Sequence, residues 1–206
     1  MKEHLLLVEG KDEKVLLTYL IASRELQGIV EVDNVGGNKS FPDGLRRVKK
    51  QSSFPSFRTI TVVRDAEADA TAAFESARGA LKDAELPIPD LPNQWSAAFP
   101  HVQICIIPEN RPHGCVEDLF LEAHRCHQEP LHACLDALRN CWAPNQLNPA
   151  RWAKIYTAII LRAIPGEYAS ELGHAIQKAE FNDLLNHEPL LQLTRVLHRI
   201  QAQSNA

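Results

Sequence analysis

At 206 residues, with 45% apolar and 23% charged residues, the chain has an ordinary globular composition and room for one enlarged domain or a domain with an appendage. No run approaches the roughly 18 apolar residues of a membrane span, and the apolar stretch near the N-terminus is too short for a signal peptide, so a cytoplasmic protein with no membrane partner is expected. A net charge of −4 argues against a generally basic nucleic-acid coat protein.

Leu5 to Val8 is a continuous apolar run, as in a strand covered on both faces, and it stops at Glu9-Gly10. Asp12 is then placed to cap a helix carrying Val15, Leu16, Tyr19 and Leu20 at helical spacing. Ile29 to Val35 reads as a second strand, closed by Gly36-Gly37. Pro42 opens a helix that turns Leu45 and Val48 inward and basic residues outward. Thr59 to Val63 is rich in β-branched residues and predicts a third strand, ending in Arg64-Asp65. Residues 70–82 predict a helix with Ala70, Phe74, Ala77 and Leu81 on one face. A proline-rich break follows, and His101 to Ile107 supplies a fourth strand.

From Glu117 onward only helical signals appear. Leu131, Cys134, Leu135 and Leu138 mark one amphipathic helix. Trp152, Ile155, Ile159, Ile160 and Ala163 mark a second, and Leu190, Leu193, Val196, Leu197 and Ile200 a third, with Pro144, Pro149 and Pro165 between them. The expectation is an α/β domain over residues 1–125, with a mainly parallel four-stranded sheet flanked by helices, and a helical C-terminal extension, residues 126–206, packed on it.

In such sheets ligands sit beyond the carboxyl ends of the strands, where this chain carries Glu9 and Asp65. Asp65, Glu67 and Asp69 alternate with Ala66 and Ala68, which in an extended segment puts three carboxylates on one side. Like charges so close call for a cation, and hard Mg2+ takes carboxylate oxygens. Acids at this place also suit the first turn of the following helix.

The run LLLVEGKDE (Leu5 to Glu13) followed by TITVVRDAEAD (Thr59 to Asp69) resembles the Toprim domain. That domain is shared by bacterial primases, topoisomerases, recombination mediator proteins and nucleases of the overcoming-lysogenization-defect type. The likeness covers roughly residues 4–120. It implies a Mg2+ site, with Mn2+ as a substitute, in which Glu9 is general base or ligand and Asp65 a ligand. The family's Asp-x-Asp is Asp65-Ala66-Glu67 here, so the second ligand is either Glu67, with its longer arm, or Asp69. Gly114 to Phe120 (GCVEDLF) resembles a stretch of small stand-alone Toprim proteins and implies Glu117 as a further ligand, able to hold a second metal. Lys154, in Arg151 to Tyr156, falls where such nucleases place a lysine near the scissile phosphate.

The implied function is metal-dependent hydrolysis of DNA or RNA phosphodiesters, with Lys11, Lys39, Arg46, Arg47, Lys49 and Lys50 as nucleic-acid contacts. Two alternatives stand beside it. One is a regulatory subunit serving a separately encoded ATPase. The other is an RNA-processing ribonuclease, because Glu9-Gly10-Lys11-Asp12 resembles the start of a ribosomal-RNA-maturing enzyme.

The five cysteines (Cys105, Cys115, Cys126, Cys134, Cys141) lack paired spacing and read as reduced thiols. His124, Cys126, His127, His132 and Cys134 match no zinc pattern, and Cys134 is expected in the core. Val35 to Ser40 looks like the tail of a phosphate-binding loop, but Asn38 stands where the glycine before the lysine should be and the upstream glycine is missing.

Overall fold

The structure, a computed structural model, describes residues 2–36, 41–126, 128–142, 149–163, 172–176 and 183–204. Lys39, His127, Pro144 and Pro165 lie outside the described residues. Four strands, β1 (His4–Val8), β2 (Val30–Asn34), β3 (Thr59–Asp65) and β4 (His101–Ile107), form one sheet in the order β2-β1-β3-β4. All three pairings are parallel, with Val8 opposite both Asn34 and Val63, and Asp65 opposite Ile107. The fold is therefore α/β with an all-parallel four-stranded sheet flanked by helices.

Successive strand residues point to opposite faces, and both faces are covered. Leu5, Leu7, Ile60, Val62, Ile104 and Ile106 join α2 (Phe41–Lys49) and α3 (Ala70–Asp83) in one apolar cluster. Leu6, Val8, Val63, Cys105 and Ile107 join α1 (Lys11–Ser23) and the later helices in the other. Those helices are α4 (Val116–Arg125), α5 (Glu129–Trp142), α6 (Pro149–Ala163), the single turn α7 (Leu172–Ala175) and α8 (Glu188–Ser204). The second cluster runs without a break from the sheet through Trp152, Tyr156, Leu193 and Leu197, so the C-terminal helices share the sheet's own core. Among the described residues no helix is long and apolar enough to cross a membrane.

Three local expectations are corrected. Gly10, not Asp12, is the N-cap of α1; Asp12 lies in the first turn, and its carboxylate accepts the free N–H groups of Leu172 and Gly173 instead. A helix end from elsewhere in the chain thus outcompetes the local cap. The inward face of α1 is rotated toward Leu16, Leu17, Leu20 and Ile21. On α5, Cys134 is exposed and Leu138 is 41% exposed, because Leu135 and His132 take the inner face. His132 is buried with its Nε2 3.0 Å from His124 Nδ1, a paired core histidine, and among the described residues the pair joins no group of three metal-ligating side chains.

Candidate metal centre

The strand register sets the positions of Glu9 and Asp65 before any side chain is considered. Val8 pairs with Val63, so Glu9 lies level with Arg64, and Asp65 stands one residue further out on the other face. The side chains follow this parity. Glu9 lies 3.4 Å from Arg64 Nε, while the Arg64 guanidinium, 2% exposed, lies over the Phe41 ring and donates to Ala73 O and Ser76 Oγ. Asp65 points toward α1, α4 and α6. Both acids still line one narrow cleft at the sheet's carboxyl edge, together with Glu13, Leu17, Val116 and Leu193.

Asp65 is 8% exposed. Its Oδ1 accepts the N–H of Val116, the first residue of α4, at 3.1 Å, so the positive end of that helix faces the carboxylate. Its Oδ2 is 3.8 Å from Lys154 Nζ, which reaches in from α6 and donates to Glu67 Oε1 at 3.1 Å. Glu117, in the first turn of α4, brings its carboxylate to the same place, and its Oε2 is buried without a hydrogen-bond partner. Glu13 enters from the first turn of α1 and folds back over Gly10, where a Cβ would collide with its carboxylate.

Electrostatics follow from this crowding. Burial pushes the Asp65 carboxyl well above the usual range, and the charges of Glu117 and Glu13 push it further. Burial likewise raises Glu117 and Glu13, with Lys154 pulling the other way. For Lys154, burial opposes the charged form. The carboxylates of Glu117 and Asp65 and the bond to Glu67 outweigh it and hold the ammonium above its ordinary value. One ammonium among these acids leaves surplus negative charge in a desolvated cleft, a state that a divalent cation relieves. The orphaned Glu117 oxygen and the buried Asp65 fit such an ion.

The acidic run does not stay extended beyond Asp65. Glu67 has φ +50 and turns the chain, pairing backbone-to-backbone with Gly114 at 2.7 and 2.8 Å. Asp69 is the N-cap of α3, its Oδ1 accepting from Thr71 N at 2.8 Å and Ala72 N at 3.1 Å. The three acids therefore do not share a side. Glu67 faces the cluster through Lys154, and Asp69 is committed to capping.

Lys11 is exposed at the start of α1, beside Glu9. The basic strip is not brought to the carboxylates, because α2 packs on the opposite sheet face. Arg46 pairs with Asp43, Arg47 with Asp33 and Lys49 with Glu85; Lys50 is exposed beside them.

Sequence reasoning missed Glu13 and Cys115. Glu13 was legible as an acid three residues after a helix-opening glycine, the offset at which a side chain reaches back over the cap. Cys115 offered no such signal. Its thiol, 0% exposed, lies in one group with Asp65 and Glu117, their donor atoms all within 4.8 Å of one another.

The turn that assembles this group depends on Gly114, at φ +131, where a Cβ would stand 2.9 Å from Pro108 Cδ. Gly114→Ala is expected to destabilise the protein by roughly 1–3 kcal/mol. The measurement is the urea midpoint, with the slope unchanged. Because Gly114 is bridged to Glu67, the same variant should also weaken divalent-ion binding in calorimetry.

No curated protein matches the chain. Among solved structures, three of the C-terminal region of the OLD protein from Xanthomonas campestris pv. campestris are similar to it. One, phased with iodine, has 13% identity and a TM-score of 0.44, covering 100% of this chain and 99% of that one. Those phased with platinum and mercury have 15% and 11% identity and TM-scores of 0.40 and 0.38; they cover 96% and 94% of this chain and 97% and 83% of theirs. Residues 3–201 match the sequence profile described as "Protein of unknown function (DUF3226)", and the chain belongs to that family.

Proposed function

We propose that this is a Toprim-type protein that holds a divalent cation at Asp65 and Glu117 and hydrolyses nucleic-acid phosphodiesters. The observation that carries the reading is the convergence of Asp65 and Glu117 on one point, with Lys154 reaching in beside Asp65 and Glu67 at the sheet's carboxyl edge. The Toprim resemblance of Leu5 to Glu13 and Thr59 to Asp69 supports it. Bound Mg2+ or Mn2+ would supply Lewis acidity toward a phosphate oxygen and a more acidic water. Asp65 and Glu117 would hold it, with Glu67 kept nearby by its bridge to Gly114.

The protein's own groups do the rest. Lys154, which reaches in from α6 to Glu67 and Asp65, would offset charge that develops on the phosphate. Glu9, held at Arg64 on the cleft's other side, is within the same cleft to accept a proton from water. Lys11, exposed at the start of α1, is a further contact for the phosphate backbone.

The test is incubation of the purified chain with Mg2+ or Mn2+ and single- and double-stranded DNA and RNA. Cleavage of at least one form is expected, with a loss of about 10²–10³-fold in Asp65→Asn. No cleavage of any form, together with no divalent binding, would reject the proposal. A second reading is favoured by Lys154, which already neutralises part of the cluster at 3.1 and 3.8 Å. Under it the chain is a non-catalytic subunit that works with a separately encoded ATPase, and co-purification from its native host would reveal the partner.

A further inference from the structure

We infer that the Cys115 thiolate is itself a metal ligand, so that the centre prefers a borderline transition ion such as Co2+ or Zn2+ over Mg2+. The inference rests on the metal-centre reading above. Cys115 occupies the N-cap of α4, a place usually taken by Ser, Thr, Asp or Asn. The helix start is a reciprocal box: Asp118 Oδ2 accepts the Cys115 N–H at 2.8 Å, and the Cys115 side chain faces the Asp118 N–H in return. The thiol donates to Asp118 Oδ2 at 3.4 Å and to Ala150 O at 3.8 Å, and it is hydrogen-bonded to the Glu117 carboxylate, so its proton already sits among the acids that a cation would bind. It is held by the extended backbone of Cys115 and packed against Ala150 and Ala153, so its position does not depend on a flexible arm.

Cys105 provides the contrast. It too is 0% exposed, yet it sits on β4 with its sulfur accepting from the Arg199 guanidinium at 3.6 Å, and among the described residues no carboxylate joins it in a ligand group. Cys115 instead shares its space with Asp65 and the unpartnered oxygen of Glu117. Metal–sulfur and metal–oxygen bonds of about 2.3 and 2.0–2.2 Å put tetrahedral donors roughly 3.6 Å apart. The three donors, within 4.8 Å of one another, reach that spacing by small torsions of the two carboxylates. Mg2+ takes an octahedron of oxygens and gains nothing from sulfur, whereas Co2+ and Zn2+ accept mixed sulfur and oxygen donors. On ligation the S–H proton leaves to solvent and the sulfur–metal bond replaces it, with no change of oxidation state.

The exposed Cys126, Cys134 and Cys141 are first changed to Ser in the full-length chain, which leaves Cys105 and Cys115. One equivalent of Co2+ should then produce the near-ultraviolet charge-transfer band of a cobalt thiolate. Cys115→Ser on this background should lose the band and bind Co2+ about tenfold more weakly, with Mg2+ binding unchanged. Co2+ binding seen by calorimetry without the band would overturn the role of Cys115 and leave the carboxylate centre standing. If neither ion binds, and Asp65→Asn behaves like the parent, the metal centre itself is rejected and this inference with it.

Discussion

A chain that ends at His187, and so lacks α8, is expected to lose cooperative folding altogether. Leu190, Leu193, Val196, Leu197 and Ile200 are each 0–2% exposed in the core shared with β1 and β3. At about 1.5–3 kcal/mol per buried aliphatic side chain, five of them contribute roughly 8–15 kcal/mol. That is about the whole net stability of a domain, 5–15 kcal/mol. Polar ties add to the loss. Arg199 and Arg195 hold the Glu109 carboxylate at 2.7 and 3.4 Å, and Gln192 accepts its N–H at 2.6 Å, which fixes the loop after β4. Leu193 also lines the cleft beside Asp65, so the site would lose part of its wall. The measurement is thermal unfolding by circular dichroism together with amide dispersion by NMR. A cooperatively folded fragment of residues 1–125 would reverse the conclusion and make the later helices a detachable cover.

Local apolar patterning carried much of this fold. The four strands lie where runs such as Leu5 to Val8 and His101 to Ile107 place them, because buried parallel strands write themselves as continuous apolar segments. The spacing of Leu190, Leu193, Val196, Leu197 and Ile200 marked α8 and its inner face for the same reason. What failed was information held by contacts between distant residues. Asp12 reads locally as a helix cap, but its partners, Leu172 and Gly173, are 160 and 161 residues away. Alternation in Asp65 to Asp69 holds only while the backbone stays extended, and the positive φ of Glu67 ends that regularity. Within the site, Glu9 and Asp65 could be placed at one sheet edge from sequence. Their separation onto different faces follows from a register that only the assembled sheet defines. Cys115 belongs to the same category. A thiol at a helix start becomes a candidate ligand only when β3 brings Asp65 against it.

Asp65→Asn is expected to abolish divalent-ion binding and yet raise the melting temperature of the metal-free protein at pH 7. The folded state holds the Asp65 carboxyl well above its ordinary range, through burial and the charges of Glu117 and Glu13. Between the unfolded value, about 4, and that raised value, the native state binds more protons than the unfolded chain, so stability falls as pH rises. Above the raised value the penalty is present in full. Asn removes the titration and keeps an oxygen to accept the Val116 N–H, which Asp65 receives at 3.1 Å. Lys154 loses its 3.8 Å contact but keeps Glu67 at 3.1 Å. Each kcal/mol relieved raises the midpoint by about 2–4 °C in a protein of this size. The two proteins should converge near pH 4 and separate as pH rises, with the variant more stable in chelator. Saturating Mn2+ should reverse the order, since a ligand at 100 times its Kd adds about 2.7 kcal/mol to the parent alone. If the variant melts lower in chelator at pH 7, with the parent's own pH slope, Asp65 is a favourable partner of Lys154. The cluster then carries no surplus charge for a metal to relieve.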